Sequence, residues 1–435
     1  MKVSIIGSGY VGSVSAACFA ELGHEVICID IDEEKVKLIN SGVAPIWEEG
    51  LDELLARHTQ KTLIATSDYD YAVANSDASF ICVGTPSGED GGIDLSIVKA
   101  ASASLGRAIA KKDHYHVVVV KSTVVPETTD KVVLPILEEY SGKKAGRDFG
   151  VVMNPEFLRE GKAVYDFMHP DKIVVGAIDQ RSFFVVSELY RKLDRPVTHT
   201  NPRTAEMIKY VNNSFLATKI SFANEVGNIC KQLGIDTYEV MDAVGTDFRI
   251  ERQFLNCGAG FGGSCFPKDV KALIGKARDM GYAPQLLQSV VDINNRQPLK
   301  MVELLREKIS DMKGDLKGKR IAVLGLAFKN DTDDIRESRS IPVIEELLRL
   351  GADIAAYDPM AEESMKKLFK DVTYCKSASD ALTEAEGCLI MTEWDKFRNL
   401  DKEFGLMANR VVIDGRHLIN PEKLSIEIDY QGICW

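Results

Sequence analysis

Little in this 435-residue chain points to a disulfide-stapled, metal-bound or membrane-embedded protein. The nine cysteines (Cys18, Cys28, Cys82, Cys230, Cys257, Cys265, Cys375, Cys388 and Cys434) are scattered, with no C-x-x-C pair and no zinc spacing. That pattern argues for a reducing compartment and against both a disulfide framework and a structural metal. No apolar run is long enough to span a bilayer. No signal-peptide pattern precedes the first strand, and no stretch has low complexity. Excess positive charge is lacking too. The formal net charge is −12, which argues against general nucleic-acid binding. A phosphate-ester ligand would therefore need local cations opposing the global field. The expectation is a cytoplasmic protein of two or three domains, with no nucleic-acid or membrane partner.

What is present begins with a nucleotide-type pattern. Lys2 to Ile6 reads as a buried parallel strand stopping at Gly7. A helical segment to Leu22 and a second strand, Glu25 to Ile29, complete a βαβ unit. The turn Gly7-Ser8-Gly9-Tyr10-Val11-Gly12 matches G-x-G-x-x-G. Its glycines permit a tight turn, close backbone approach to a pyrophosphate, and helix-on-sheet packing. Asp30 follows Gly12 by 18 residues. That acid suits ribose hydroxyls and opposes a 2′-phosphate, so NAD is expected rather than NADP. Lys35 is either an adenosine contact or a solvated helix lysine. Two further strands, Ala78 to Val83 and His116 to Val120, end in the loops Gly84-Thr85-Pro86 and Lys121-Ser122-Thr123.

Helical periodicity takes over from about Thr204 to Leu233 and from about Pro284 to Met312. At Gly318 the opening pattern returns: Lys319 to Gly325 as strand and glycine turn, a helix from about Ser340 to Leu350, then Asp353 to Asp358. The expected fold is α/β, with two Rossmann-like doubly wound domains joined by a helical central domain. The expected limits are 1–200 for the NAD-binding Rossmann domain, 201–312 for the central helical domain, and 313–435 for the C-terminal Rossmann-like domain. A polar, lysine-rich linker is read around Ser310 to Lys317.

One cysteine departs from the buried-hydrophobe pattern that Cys18, Cys28, Cys82 and Cys388 fit. Cys265 lies in Phe261-Gly262-Gly263-Ser264-Cys265-Phe266-Pro267-Lys268-Asp269, a glycine-rich turn with a cation three residues on. A nearby cation favours the thiolate, and covalent chemistry beside a dinucleotide site fits oxidation of an aldehyde to an acid. Glu156 and Glu160 are four residues apart and would share a face if helical, either as a base or as acids at a helix start. Lys209 and Asn213, at i and i+4, would aim at one oxygen; a solvated lysine is the alternative.

These motifs together resemble the UDP-glucose/GDP-mannose dehydrogenase family over nearly the whole chain. The similarity rests on Gly7–Gly12, Val83–Pro86, Ser122-Thr123, Asn154–Gly161, Ala205–Tyr210, Gly260–Asp269, Gly325–Lys329, Asp333–Ser338 and Asp414–Arg416. The resemblance implies a four-electron oxidation of a nucleotide sugar at C6, with two NAD reduced in succession. By it, Cys265 is the nucleophile, and Lys209 and Asn213 stabilise the C6 oxygen. Asp269 assists with a water or proton, and Thr123 and Glu156 help activate water. Glu160 lies beside the nicotinamide, and Arg336 contacts the cofactor across the domain cleft. Gly7, Gly9, Tyr10, Val11, Gly12, Asp30, Lys35, Thr85 and Thr123 complete the implied cofactor set. Lys329 and Arg416 match positions near the nucleotide diphosphate. Arg249 matches an arginine reaching a neighbouring subunit's substrate, implying a homodimer with shared sites. Glu156, Phe157, Leu158, Phe254, Phe261 and Gly262, with Lys209 and Asn213, complete the implied substrate set.

Asp247–Ile250, Phe254-Leu255 and Thr392–Phe397 resemble UDP-glucose dehydrogenases. The ending Gly432-Ile433-Cys434-Trp435 resembles some GDP-mannose dehydrogenases, and UDP-N-acetylmannosamine is a third candidate. Two other classes compete. A one-step hydroxyacid dehydrogenase would leave Cys265 and the C-terminal domain without a role. An NAD-binding redox sensor would leave Lys209, Asn213 and Glu156 unexplained.

Overall fold

The computed structural model describes residues 1–88, 91–309 and 315–435. Of the linker expected around Ser310 to Lys317, residues 310–314 lie outside the described residues, as does the expected boundary at 312–313. The chain forms two compact units, Met1–Asn212 and Asn213–Trp435. The division falls inside one long helix, Pro202–Leu233.

The first unit is built on strands β1 (Lys2–Ile6), β2 (Glu25–Ile29), β3 (Leu63–Thr66), β4 (Ala78–Ile81), β5 (His116–Val120), β6 (Phe149–Met153), β7 (Ile173–Ala177) and β8 (Val197–Thr200). Their order in the sheet is β3-β2-β1-β4-β5-β6-β7-β8. Neighbours run parallel except β6 and β7, which are antiparallel. The continuous apolar runs arise because both faces are covered. Strand alternation sends Val3 and Ile5 into one core layer with Phe19 and Phe80, and Ile6 into the other with Leu105 and Leu137. The chain order reverses between β1 and β4, where open parallel sheets bind ligands beyond the strand ends.

The second unit repeats this plan with β9 (Arg320–Leu324), β10 (Asp353–Tyr357), β11 (Thr373–Tyr374), β12 (Gly387–Ile390), β13 (Val411–Asp414) and β14 (Asp429–Gly432). The order is β11-β10-β9-β12-β13-β14, all parallel. The helices ahead of this sheet share its core. Met301, Val302, Leu305 and Ile309 of the helix Gln285–Ile309 join Ile321, Val323 and Leu389 in one buried cluster. A Cβ on Gly387 would sit 2.6 Å from Leu305, so β12 and this helix approach closely because glycine leaves room.

Both expected long helices form, as Pro202–Leu233 and Gln285–Ile309 within the described residues. One local expectation fails. The segment from Asn154 to Gly161 has no helical turn; it is an extended loop before the helix Ala163–Met168. Pro155 biases Asn154 away from the helical region, and Gly161 has φ +81°. Glu156 and Glu160 therefore do not share a helical face.

Candidate active site

The first unit supplies a site for a dinucleotide. The helix Tyr10–Glu21 starts directly behind the glycine turn, with Gly9 at its cap and no side chain bonded to the cap. Its first turn carries no acid, so the free N–H groups and the helix dipole are left to an anion. A Cβ on Gly9 would meet nothing within 4 Å, which leaves the backbone open to a ligand. A Cβ on Gly12 would overlap the Gly7 carbonyl oxygen, so this glycine is required for packing. These features fit the diphosphate of NAD.

Asp30, just past β2, accepts from the Ser8 backbone N–H at 2.7 Å and the Ser8 hydroxyl at 2.6 Å. Burial opposes its ionisation. The bonds from Ser8 and Asp32 and the field of Lys35 more than offset this and hold the carboxyl below its usual range. Lys35, Thr85, Val11 and Thr123 are partly exposed. Tyr10 donates to buried Glu48, which also accepts from Gly161 N–H and Ala163 N–H, each at 2.7 Å. Glu48 was not legible as a site residue; it ties the glycine turn to the loop carrying Glu156 and Glu160.

Within the same unit, Glu156 and Lys209 form a buried ion pair at 3.0 Å. Glu156 also accepts from the Leu158 N–H at 2.6 Å. Burial raises the cost of its charge, but Lys209, that N–H and Lys121 together keep the carboxyl below its usual range. The Lys209 ammonium lies 5.4 Å from the Phe157 ring centre. The solvated-lysine alternative for Lys209 is thus excluded: its side chain is buried. Three residues earlier on the helix, buried Glu206 accepts from the N–H groups of Glu127 and Thr129 and the Thr129 hydroxyl, all at 2.7 Å. Burial pushes its pKa up to about 7.

The second unit carries the cysteine loop. Cys265 immediately precedes the helix Phe266–Asp279 and is the one exposed cysteine of nine, none of them in a disulfide. Cys28 and Cys82 are pushed up to about 12 by burial, as expected of inert core thiols. The Lys268 ammonium pairs with Asp269 at 2.7 Å. Asp269 also accepts from the Asn213 amide at 2.7 Å. This joins two expected site residues of different helices.

The glycines of the loop are explained by close backbone approach. A Cβ on Gly258 would lie 2.5 Å from the Gly415 oxygen, one on Gly262 would overlap the Glu337 oxygen, and one on Gly263 would strike the Phe328 ring. Ala259 N–H donates to Gly415 O at 3.0 Å, and Gly263 N–H to Arg336 O at 2.9 Å. Asn294 accepts from Phe261 N–H at 2.8 Å and donates to Phe261 O at 2.9 Å. No spacing rule could have found Asn294, because its role depends on chain crossing. Arg416 donates to Met391 O at 2.7 Å and Gly260 O at 3.3 Å, and pairs with Glu393 at 3.3 Å. The side chains of Arg336 and Arg249 are exposed and held by Asp334 and Asp247 respectively. Lys329 is partly exposed above the Phe328 ring, and Phe254 is exposed at φ +65°.

Comparison with known proteins gives this arrangement its family. Residues 1–194 match the NAD binding domain of the UDP-glucose/GDP-mannose dehydrogenase family, 203–296 its central domain and 322–421 its UDP binding domain. The chain is 52% identical to UDP-glucose 6-dehydrogenase AglM of Haloferax volcanii over 100% of both chains. It is 42% identical to a GDP-mannose 6-dehydrogenase of Pseudomonas aeruginosa, covering 83% of this chain and 82% of that one. The solved UDP-glucose dehydrogenase of Pyrobaculum islandicum superposes with a TM-score of 0.93 at 43% identity, covering 100% of this chain and 98% of the other. Among the described residues no helix is long and apolar enough to cross a membrane. The chain belongs to the UDP-glucose/GDP-mannose dehydrogenase family and is an NAD-dependent nucleotide-sugar 6-dehydrogenase.

Proposed function

We propose that this enzyme oxidises UDP-glucose to UDP-glucuronate through covalent intermediates on Cys265. The observation that carries the covalent reading is the exposure of Cys265 at a helix start, against eight buried cysteines. The partial positive charge of a helix N-terminus favours negative charge on the sulfur. The choice of UDP-glucose is supported by the 52% identity to the Haloferax volcanii enzyme. The segments Asp247–Ile250 and Thr392–Phe397 support it too.

The balance is one alcohol, two NAD and one water giving one carboxylate, two NADH and three protons. The glycine turn Gly7–Gly12 would hold NAD, which when bound supplies a hydride acceptor, one NAD for each of the two oxidations. Lys209 and Asn213 hold the C6 oxygen as charge develops on it. The Cys265 sulfur, its proton lost to solvent, then forms a C–S bond to the aldehyde carbon as the C=O π pair moves to the C6 oxygen, and loss of the remaining C6 hydride in the second oxidation reforms the carbonyl as a thioester. Water attacks this carbon: a C–O bond forms, the C–S bond breaks, and the electron pair returns to sulfur. Glu156 takes the water's proton with Thr123, and Asp269 assists through its bonds to Asn213 and Lys268. Arg416 and Lys329 oppose the diphosphate charge, which provides the local cations that a chain of net charge −12 must have.

The three-domain division at 1–200, 201–312 and 313–435 belongs to the same reading. So does a homodimer: Phe215, Phe222, Ile229 and Leu233 leave a strongly exposed apolar stripe on one helix, a surface suited to a second copy. A cytoplasmic location follows from the cysteine pattern. The test is NADH yield per sugar nucleotide. Two per UDP-glucose is expected. Two per GDP-mannose, and none with UDP-glucose, would move the substrate; one would replace the covalent route by a single oxidation.

A further inference from the structure

We propose that Lys121 is a positioning residue for the Glu156–Lys209 pair, its buried ammonium supplying a fixed positive charge behind the carboxylate that takes the water proton. The inference rests on the functional reading above. Lys121 follows β5 directly and is 3% exposed. Its ammonium donates to Asn154 Oδ1 at 3.2 Å and to the Tyr190 hydroxyl at 3.3 Å, both neutral oxygens. Tyr190 in turn donates to the same Asn154 oxygen at 2.5 Å. The ring centres of Phe167 and Tyr190 lie 5.9 Å from the ammonium. Among the described residues no carboxylate forms an ion pair with it.

A buried lysine without an anion is costly to the fold, and such a group is retained where its charge has a use. Four groups face it. They are Cys82 after β4, Glu156 from the loop after β6, Lys209 from the long helix, and Tyr190 at the end of the helix Gln180–Leu189. Burial works against its charge most and holds its pKa below the ordinary lysine value; Glu156 favours the charge and Lys209 opposes it, while Cys82 stays a neutral thiol. With both lysines protonated, the cluster of Lys121, Lys209 and Glu156 carries a net positive charge. Glu156 alone with Lys209 would be neutral. When the Lys209 ammonium turns to a substrate oxygen, Lys121 still holds Glu156 as a carboxylate. Asn154 connects the two physically: it binds Lys121 and begins the loop that carries Glu156.

Two variants separate charge from shape. Lys121→Met removes the charge at similar length, and Lys121→Gln also removes it but can still bond to Asn154. For both, kcat should fall about tenfold and the acid limb of its pH profile should rise by about one unit, read from about pH 5 to 9. The Michaelis constants for NAD and UDP-glucose should stay within about twofold. Thermal stability should be equal or higher, because an unpaired buried cation has been removed. A wild-type acid limb in Lys121→Gln would show that the hydrogen bond matters rather than the charge, and would overturn the proposal. So would a lowered Tm with an unshifted limb, or loss of folding in both variants. Wild type is assayed alongside. Fewer than two NADH per UDP-glucose there would overturn the functional reading instead, whereas two NADH with unaltered variants would remove only Lys121.

Discussion

The two sheets of this protein share the order of six strands and differ at the end that matters. In the first, the helix begins at Tyr10, directly behind the glycine turn, and Gly9 faces open space. In the second, Gly325 also has a positive φ, of +98°, but the next helix starts only at Ser340. The aspartate that follows β10 is also used differently. Asp358 accepts from the N–H groups of Leu326, Ala327, Met360 and Ala361 and from the Trp394 indole. Among the described residues, Asp30 accepts from Ser8 and Asp32 only. The second turn thus has its donors neutralised by the protein itself, while the first leaves its helix N-terminus for a ligand. Repetition of strand, glycine, helix, strand and aspartate does not by itself repeat a dinucleotide site.

Substitutions can break or sharpen this contrast. The largest effect is expected from Cys265→Ser in the second unit. Steady-state NADH production should fall roughly a thousandfold or more, since a hydroxyl is a far weaker nucleophile. NAD affinity and Tm should hold, because the side chain is exposed and no core volume is lost. Near wild-type turnover at two NADH per substrate would end the covalent mechanism.

Next comes Asp30→Arg. The Michaelis constant for NAD should rise about a hundredfold, with loss of the acceptor for ribose hydroxyls and of the Ser8 anchor. Comparing NAD with NADP checks whether the new cation admits the 2′-phosphate. Arg416→Ala should raise the constant for UDP-glucose about tenfold and leave that for NAD alone, because a charge-assisted contact to a diphosphate is lost. A change confined to NAD would invert the assignment of the two units.

Asp358→Asn tests the other side of the contrast. It should cost about 3 kcal/mol by denaturant unfolding, since buried N–H donors lose an ionised acceptor. The Michaelis constant for NAD should not move. The smallest change is Gly9→Ala, which has room in the fold. It should leave Tm within about 2 °C while weakening NAD binding several-fold by crowding the turn; equal binding would show that nothing approaches Gly9.

The sequence by itself determined both sheets' central strands, the two long helices, the NAD turn with Asp30, and Cys265 as the unusual thiol. These were legible because buried parallel strands, helical periodicity and glycine turns leave short-range patterns. Tertiary structure alone decided which side chains meet. It made Asn154–Gly161 a loop instead of a helical turn, joined Glu156 to Lys209, and paired Lys268 with Asp269. It also brought Lys121, Glu48 and Asn294 into their networks. The physical reason is common to all of these. Each contact joins residues far apart in the chain or depends on which way a side chain turns, and chain crossing and burial set both after the local pattern has been written.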